Sequence, residues 1–200
     1  MPDPIEFFFD FSSPYAYFAS HGIDDLAAEF GRDCRWKPML LGPAFKASGN
    51  QRLIDQPLKG AYARHDWQRL GRMLAVPYRL PDPFPVSTVM AARAFWWLDA
   101  SDPIAAKTFA QAVFAAYFGD GRDISASTTI AALAHSQGLD AQALQNATQD
   151  PMWKEKCRVE TESAIARGVF GAPFFMVDGE GFWGSDRLGM VREWLVRGGW

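Results

Sequence analysis

Cysteine is scarce in this 200-residue chain: Cys34 and Cys157 stand far apart, and no CxxC occurs. That spacing excludes a dithiol redox motif and a cysteine-rich zinc site. Each cysteine is expected to act as a buried small hydrophobe. Histidine is nearly as rare. His21, His65 and His135 have no metal-ligand spacing and are expected to be structural or surface residues. No apolar run approaches the length needed to span a bilayer. Basic excess is also missing: Lys and Arg number 20 against 23 Asp and Glu, giving a net charge of −3 and a pI near 5.6. A polyanion binder normally carries a basic field, so nucleic acid is not expected as a partner. The opening Met1-Pro2-Asp3-Pro4 has an acid and no basic n-region, so a secretory signal is not expected and the cytoplasm is.

Aromatic residues, in contrast, are plentiful, with eight Trp and sixteen Phe in a chain that is 48% hydrophobic. Such rings pack cores, and the same flat walls suit aromatic substrates. The length fits one compact unit, or a core with an insertion.

Ile5 to Phe11 reads as a buried strand, because the run is short, apolar and rich in aromatics. Ser13 followed by Pro14 then signals a helix start, with Ser as N-cap and Pro in the first helical position. Tyr15, Phe18, Ala19, Gly22, Leu26 and Phe30 share one helical face, predicting a single helix closed by Gly31. A second strand is expected from Cys34 to Leu41, giving a strand–helix–strand opening. From Leu53 to Gly168 the chain is Ala-rich with helical period. Asp102-Pro103 and Asp150-Pro151 read as caps, Gly119, Gly138 and Gly168 as terminators, and Pro77, Pro81, Pro83 and Pro85 as an irregular crossing. Strands return at Phe174–Val177 and Phe182-Trp183, and Ser185-Asp186 is expected to cap a last helix. The predicted fold class is α/β: a core from residues 1–52 and 169–200, with an all-helical insertion over 53–168.

Three local features carry chemistry. Ser13 sits where strand passes to helix, so its hydroxyl is either a plain N-cap or, beside free N–H groups at the positive helix end, an anion-stabilising donor. Gly171-Ala172-Pro173 precedes a strand, and the Ala172–Pro173 bond is either a trans entry or a cis bond that aims the Ala172 backbone outward. Gly184-Ser185-Asp186-Arg187 is either an ordinary cap or a pocket for a zwitterion, the hydroxyl and N–H groups taking a carboxylate and Asp186 an ammonium.

In this order the motifs become specific. Phe9-Asp10-Phe11-Ser12-Ser13-Pro14-Tyr15 resembles the opening of kappa-class glutathione transferases and 2-hydroxychromene-2-carboxylate isomerases, of the thioredoxin-like superfamily. Phe170-Gly171-Ala172-Pro173, Gly184 to Leu188, Leu40 to Asn50 and Lys59 to Tyr62 extend the resemblance over nearly the whole chain. It implies a thioredoxin-like core with a helical insertion and glutathione as cofactor. Ser13 would contact the glutathione sulfur, and Ala172 before Pro173 the cysteinyl portion. Ser185 and Asp186 would take the γ-glutamyl end, with Asn50 and Lys59 in contact from the intervening loop, where polar residues also occur simply as a solvated surface. Homodimers are common in that family.

A free thiol has a pKa of about 8.5, and lowering it by about two requires about 2.7 kcal/mol in favour of the anion. A helix N-terminus supplies about 0.3–1 kcal/mol, rising to about 2 when partly buried. A hydrogen bond to a charged group adds about 1.5–3 kcal/mol. A hydroxyl donor at the helix start therefore complements the dipole. The resemblance implies interconversion of 2-hydroxychromene-2-carboxylate and trans-o-hydroxybenzylidenepyruvate. The alternatives are a transferase acting on electrophiles or peroxides, a disulfide oxidoreductase, which the missing CxxC disfavours, and a glutathione-binding module without turnover. For the carboxylate of a second substrate, Arg64, Arg69 and Arg93 are candidates, each also readable as a solvated helix charge.

Overall fold

The computed structural model describes residues 3–200; Met1 and Pro2, on which the expectation about a secretory signal partly rests, lie outside the described residues. A four-stranded sheet runs in the order β2-β1-β3-β4, formed by β1 (Ile5–Phe9), β2 (Cys34–Pro38), β3 (Phe174–Val177) and β4 (Glu180–Trp183). β1 and β2 are parallel, with Phe7 opposite Trp36. β3 is antiparallel to β1, with Phe7 opposite Phe175, and β4 is antiparallel to β3. Both faces of β1 are covered, which is why its sequence is apolar almost without interruption. Phe7 and Phe9 join the larger core, while Phe8 packs with Met39, Ala164, Val169, Phe174 and Met176 on the opposite face.

The predicted single helix over 15–30 is two: α1 (Pro14–Ser20) and α2 (Ile23–Glu29). Gly22 between them has non-helical φ −132°, and glycine is a weak helix former. The freed Ser20 carbonyl accepts a 2.7 Å hydrogen bond from Gln111 Nε2, so a distant side chain satisfies the break. The second strand stops at Pro38 instead of reaching Leu41. Leu41 opens α3 (Leu41–Ser48), where a loop was expected. Its N–H donates to the Asp10 carboxylate at 2.8 Å, so the end of β1 supplies a cap that the local sequence lacks.

Beyond β2 follow α4 (Lys59–Leu74), α5 (Val89–Asp99), α6 (Pro103–Phe114), α7 (Ser127–Ser136), α8 (Ala141–Gln149) and α9 (Pro151–Ala166). Asp102 and Asp150 cap α6 and α9 as expected, each ahead of a proline. The four prolines lie in the irregular segment 75–88, with cis bonds at Asp82–Pro83 and Phe84–Pro85. A π-helical stretch, Ala115–Gly119, extends α6. The last helix, α10 (Leu188–Arg197), is preceded by a 3-10 turn at Ser185–Arg187. Neither Ser185 nor Asp186 caps it through a side chain, contrary to expectation. The Asp186 carboxylate instead pairs with the Arg187 guanidinium at 2.7 Å, beside the positive-φ backbone of Gly184.

Among the described residues, no helix is long and apolar enough to cross a membrane, and no group of His, Cys, Asp and Glu is arranged to hold a metal ion.

Candidate active site

The strand-to-helix turn after β1 builds the centre of a cleft of about 1290 Å³. Asp10 is buried there, accepting from the Ser12 N–H and Oγ at 2.8 Å each and from Leu41 N–H. Burial raises its pKa, and these donors oppose the rise. One carboxylate thus fixes the turn before α1 and the start of α3. Ser13 follows as N-cap of α1, only 5% exposed. Its Oγ accepts from Ala16 N–H at 3.2 Å and donates to the Ala172 carbonyl at 2.8 Å. Capping and site-building are therefore the same geometry. The Ala172–Pro173 bond is cis, and both residues line the cleft opposite the helix start.

The cleft brings the other predicted residues to its walls. Asn50 donates through Nδ2 to the Phe170 carbonyl at 3.3 Å, bridging the end of α3 to the segment before the cis bond. Lys59 begins α4, exposed and without an ion pair among the described residues. Ser185 and Asp186 lie across from them, after β4. Trp183 leans over Gly171: a Cβ there would sit 2.5 Å from the indole Nε1. Glycine at 171 therefore lets the ring approach the backbone next to Ala172.

The arginines proposed from sequence for a carboxylate do not line the cleft. Arg69 pairs with Asp66, Arg93 donates to the Thr148 carbonyl, and Arg64 is exposed. The cations that do line it include Arg52, which lies outside every quoted motif, and Arg187, which lies inside one but carries no expected role. Asp10, quoted in the first motif without a role, and the buried Thr88 belong to the site as well; the Asp-x-Ser spacing that makes the Asp10 turn is the available signal for the first. Aromatic walls come from Tyr15, Phe18, Tyr62, Trp67 and Phe84. Both cysteines are free and buried. Burial pushes the Cys34 thiol up strongly and that of Cys157 up to about 11, so neither supplies a thiolate near neutral pH.

The model of the DSBA-like thioredoxin domain matches residues 4–196. A 2-hydroxychromene-2-carboxylate isomerase of Sphingobium xenophagum is 32% identical, over 98% of this chain and 100% of its own. Glutathione S-transferase kappa 1 of Rattus norvegicus is 27% identical, over 95% and 89%. The solved structure of a 2-hydroxychromene-2-carboxylate isomerase superposes with a TM-score of 0.88 at 26% identity, over 96% and 94% of the two chains. Strand order, cis proline and the matched span agree: the chain belongs to the family of DSBA-like thioredoxin domains, with a thioredoxin-like fold.

Proposed function

We propose that this protein is a glutathione-dependent isomerase that interconverts 2-hydroxychromene-2-carboxylate and trans-o-hydroxybenzylidenepyruvate. The observation that carries this reading is the Ser13 hydroxyl, set between the first turn of α1 and the Ala172 carbonyl on the wall of a large aromatic cleft. Relatives with that activity in their names support the choice of reaction.

The residues present suit a tripeptide with two carboxylates, an ammonium and a thiol. Lys59 offers a cation for one carboxylate, Ser185 a hydroxyl for the other, Asp186 an anion for the ammonium, and Asn50 an amide. Ser13 has a single proton. To donate it to sulfur, the hydroxyl leaves the Ala172 carbonyl, and that carbonyl then becomes free to accept from the cysteinyl N–H. Binding is thus an exchange of partners at one backbone group. Bound there, glutathione would supply a thiolate for reversible addition to the conjugated, ring-opened substrate, whose chromene C2–O bond opens to a phenol and a ketone, and the thiol would be returned unchanged. The chain's own part is to hold the sulfur as an anion through the Ser13 hydroxyl and the α1 N-terminus, and to keep the aromatic substrate flat against the cleft wall. We place it in the cytoplasm, where a reducing thiol pool suits this cofactor, and as a homodimer.

The test is a spectroscopic isomerisation assay with and without glutathione, on wild type and Ser13→Ala. Turnover without glutathione, or full activity without the hydroxyl, would sink the mechanism. The kappa-class relatives favour a second reading, transfer of glutathione to electrophiles, through the same residues. Net consumption of glutathione distinguishes it, because an isomerase returns the thiol unchanged.

A further inference from the structure

The aromatic part of the cleft holds one polar cluster that glutathione binding does not use. Tyr15 lies two residues beyond Ser13 in α1 and lines the same cleft. Its hydroxyl donates to Asp66 Oδ2 of α4 at 2.9 Å, and Arg69 holds the other Asp66 oxygen at 3.2 Å. Trp67 and Phe84 continue the wall, the Tyr15–Trp67 and Trp67–Phe84 centroids lying 6.0 and 5.8 Å apart, both edge to face. Trp67 is 2% exposed, and its indole N–H has no hydrogen-bond partner. Burial, and after it the Asp66 carboxylate, keeps the Tyr15 phenol protonated far above neutral pH.

A neutral phenol has one proton, and here it is committed to Asp66. What Tyr15 turns to a ligand is therefore an oxygen lone pair, with a carboxylate behind it. A carbonyl or carboxylate oxygen placed there would meet lone pair with lone pair and be repelled by the Asp66 charge. A hydroxyl on a flat aromatic ring meets a matched acceptor. We propose that Tyr15, oriented by Asp66, is a specificity-determining residue that accepts a hydrogen bond from the phenolic hydroxyl of the aromatic substrate. The inference rests on the isomerase reading and names which end of that substrate enters the Trp67–Phe84 wall.

The probes are trans-o-hydroxybenzylidenepyruvate and its analogue lacking the ring hydroxyl. Calorimetric binding of each, without glutathione, and inhibition by the analogue are measured for wild type, Tyr15→Phe and Asp66→Ala. Wild type is expected to prefer the hydroxylated compound about tenfold, the size of one hydrogen bond. Tyr15→Phe is expected to abolish that preference while leaving analogue binding within about twofold, and Asp66→Ala to reduce it. Equal affinity of wild type for the two compounds, or equal loss of both in Tyr15→Phe, overturns the proposal. Because wild-type binding suffices, a misfolded variant does not shelter it. Failure of the isomerase reading shows separately, as absence of turnover in wild type with glutathione.

Discussion

Replacing Ser13 by alanine removes two things at once: the acceptor for Ala16 N–H and the donor to the Ala172 carbonyl. Loss of an N-cap costs about 1 kcal/mol, whereas glycine at an N-cap costs only a few tenths. Both variants lose the bond to the Ala172 carbonyl, so Ser13→Gly is expected to exceed Ser13→Ala in urea denaturation by the difference in capping, about 0.5–1 kcal/mol. Both are expected to lose glutathione-dependent turnover. If Ser13→Gly kept activity, the hydroxyl would be a cap and nothing more. Gly171 gives the complementary case. A methyl at 171 would collide with the indole of Trp183, which is half exposed and free to swing into solvent. Gly171→Ala is expected to change the melting temperature little and to weaken glutathione binding several-fold, about 1 kcal/mol by calorimetry. A large loss of stability with unchanged binding would show that the ring is fixed by the fold and does not shape the cleft.

Among the elements, those whose ends are set by their own neighbours were legible in the sequence, and those finished by distant residues were not. Ser13-Pro14, Asp102-Pro103 and Asp150-Pro151 start helices because cap and helix are adjacent. The start of α3 hides because its acceptor, Asp10, is 31 residues away. The break between α1 and α2 hides because Gln111 satisfies it from α6. The same limit applied to the site. Ser13 and the cis bond sit in short motifs, but the Tyr15–Asp66 pair forms only when α1 meets α4. Packing between elements also sets a pH dependence. Glu6 of β1 meets Arg167 just beyond α9 and Lys37 of β2, while Glu160 of α9 meets Lys37 and Lys156. Burial alone would raise both carboxyls, but these cations more than offset it, and both fall below the ordinary 4.5. A lowered folded pKa means stability that is present above the unfolded value and lost as pH falls through the folded one. Denaturation on either side of pH 4.5 is expected to show stability falling with acid, and Glu6→Gln to flatten the slope. An unchanged slope in that variant would place the acid sensitivity elsewhere.

At the scale of the whole molecule, the sheet and the helices between β2 and β3 share one core. Phe114 of α6 lies 5.5 Å from Phe9, 5.1 Å from Phe11, 6.0 Å from Tyr17 and 6.4 Å from Phe118, centroid to centroid. Phe9 also meets Phe95 of α5 at 5.8 Å. A stretch read from sequence as an insertion over 53–168 therefore supplies rings that the strands need for their own burial, and the turn carrying Ser13 rests on those rings. Two such parts do not melt separately, because exposing the helices strips one face of β1. Calorimetry is expected to give one transition with equal calorimetric and van't Hoff enthalpies. Removing the Phe114 ring costs about 3–5 kcal/mol. For a chain of this size Phe114→Ala is expected to lower the whole transition by about 6–20 °C without splitting it. Two peaks, with only one of them displaced, would mean that the helices hold a core of their own and that the site is built at a boundary between independent units.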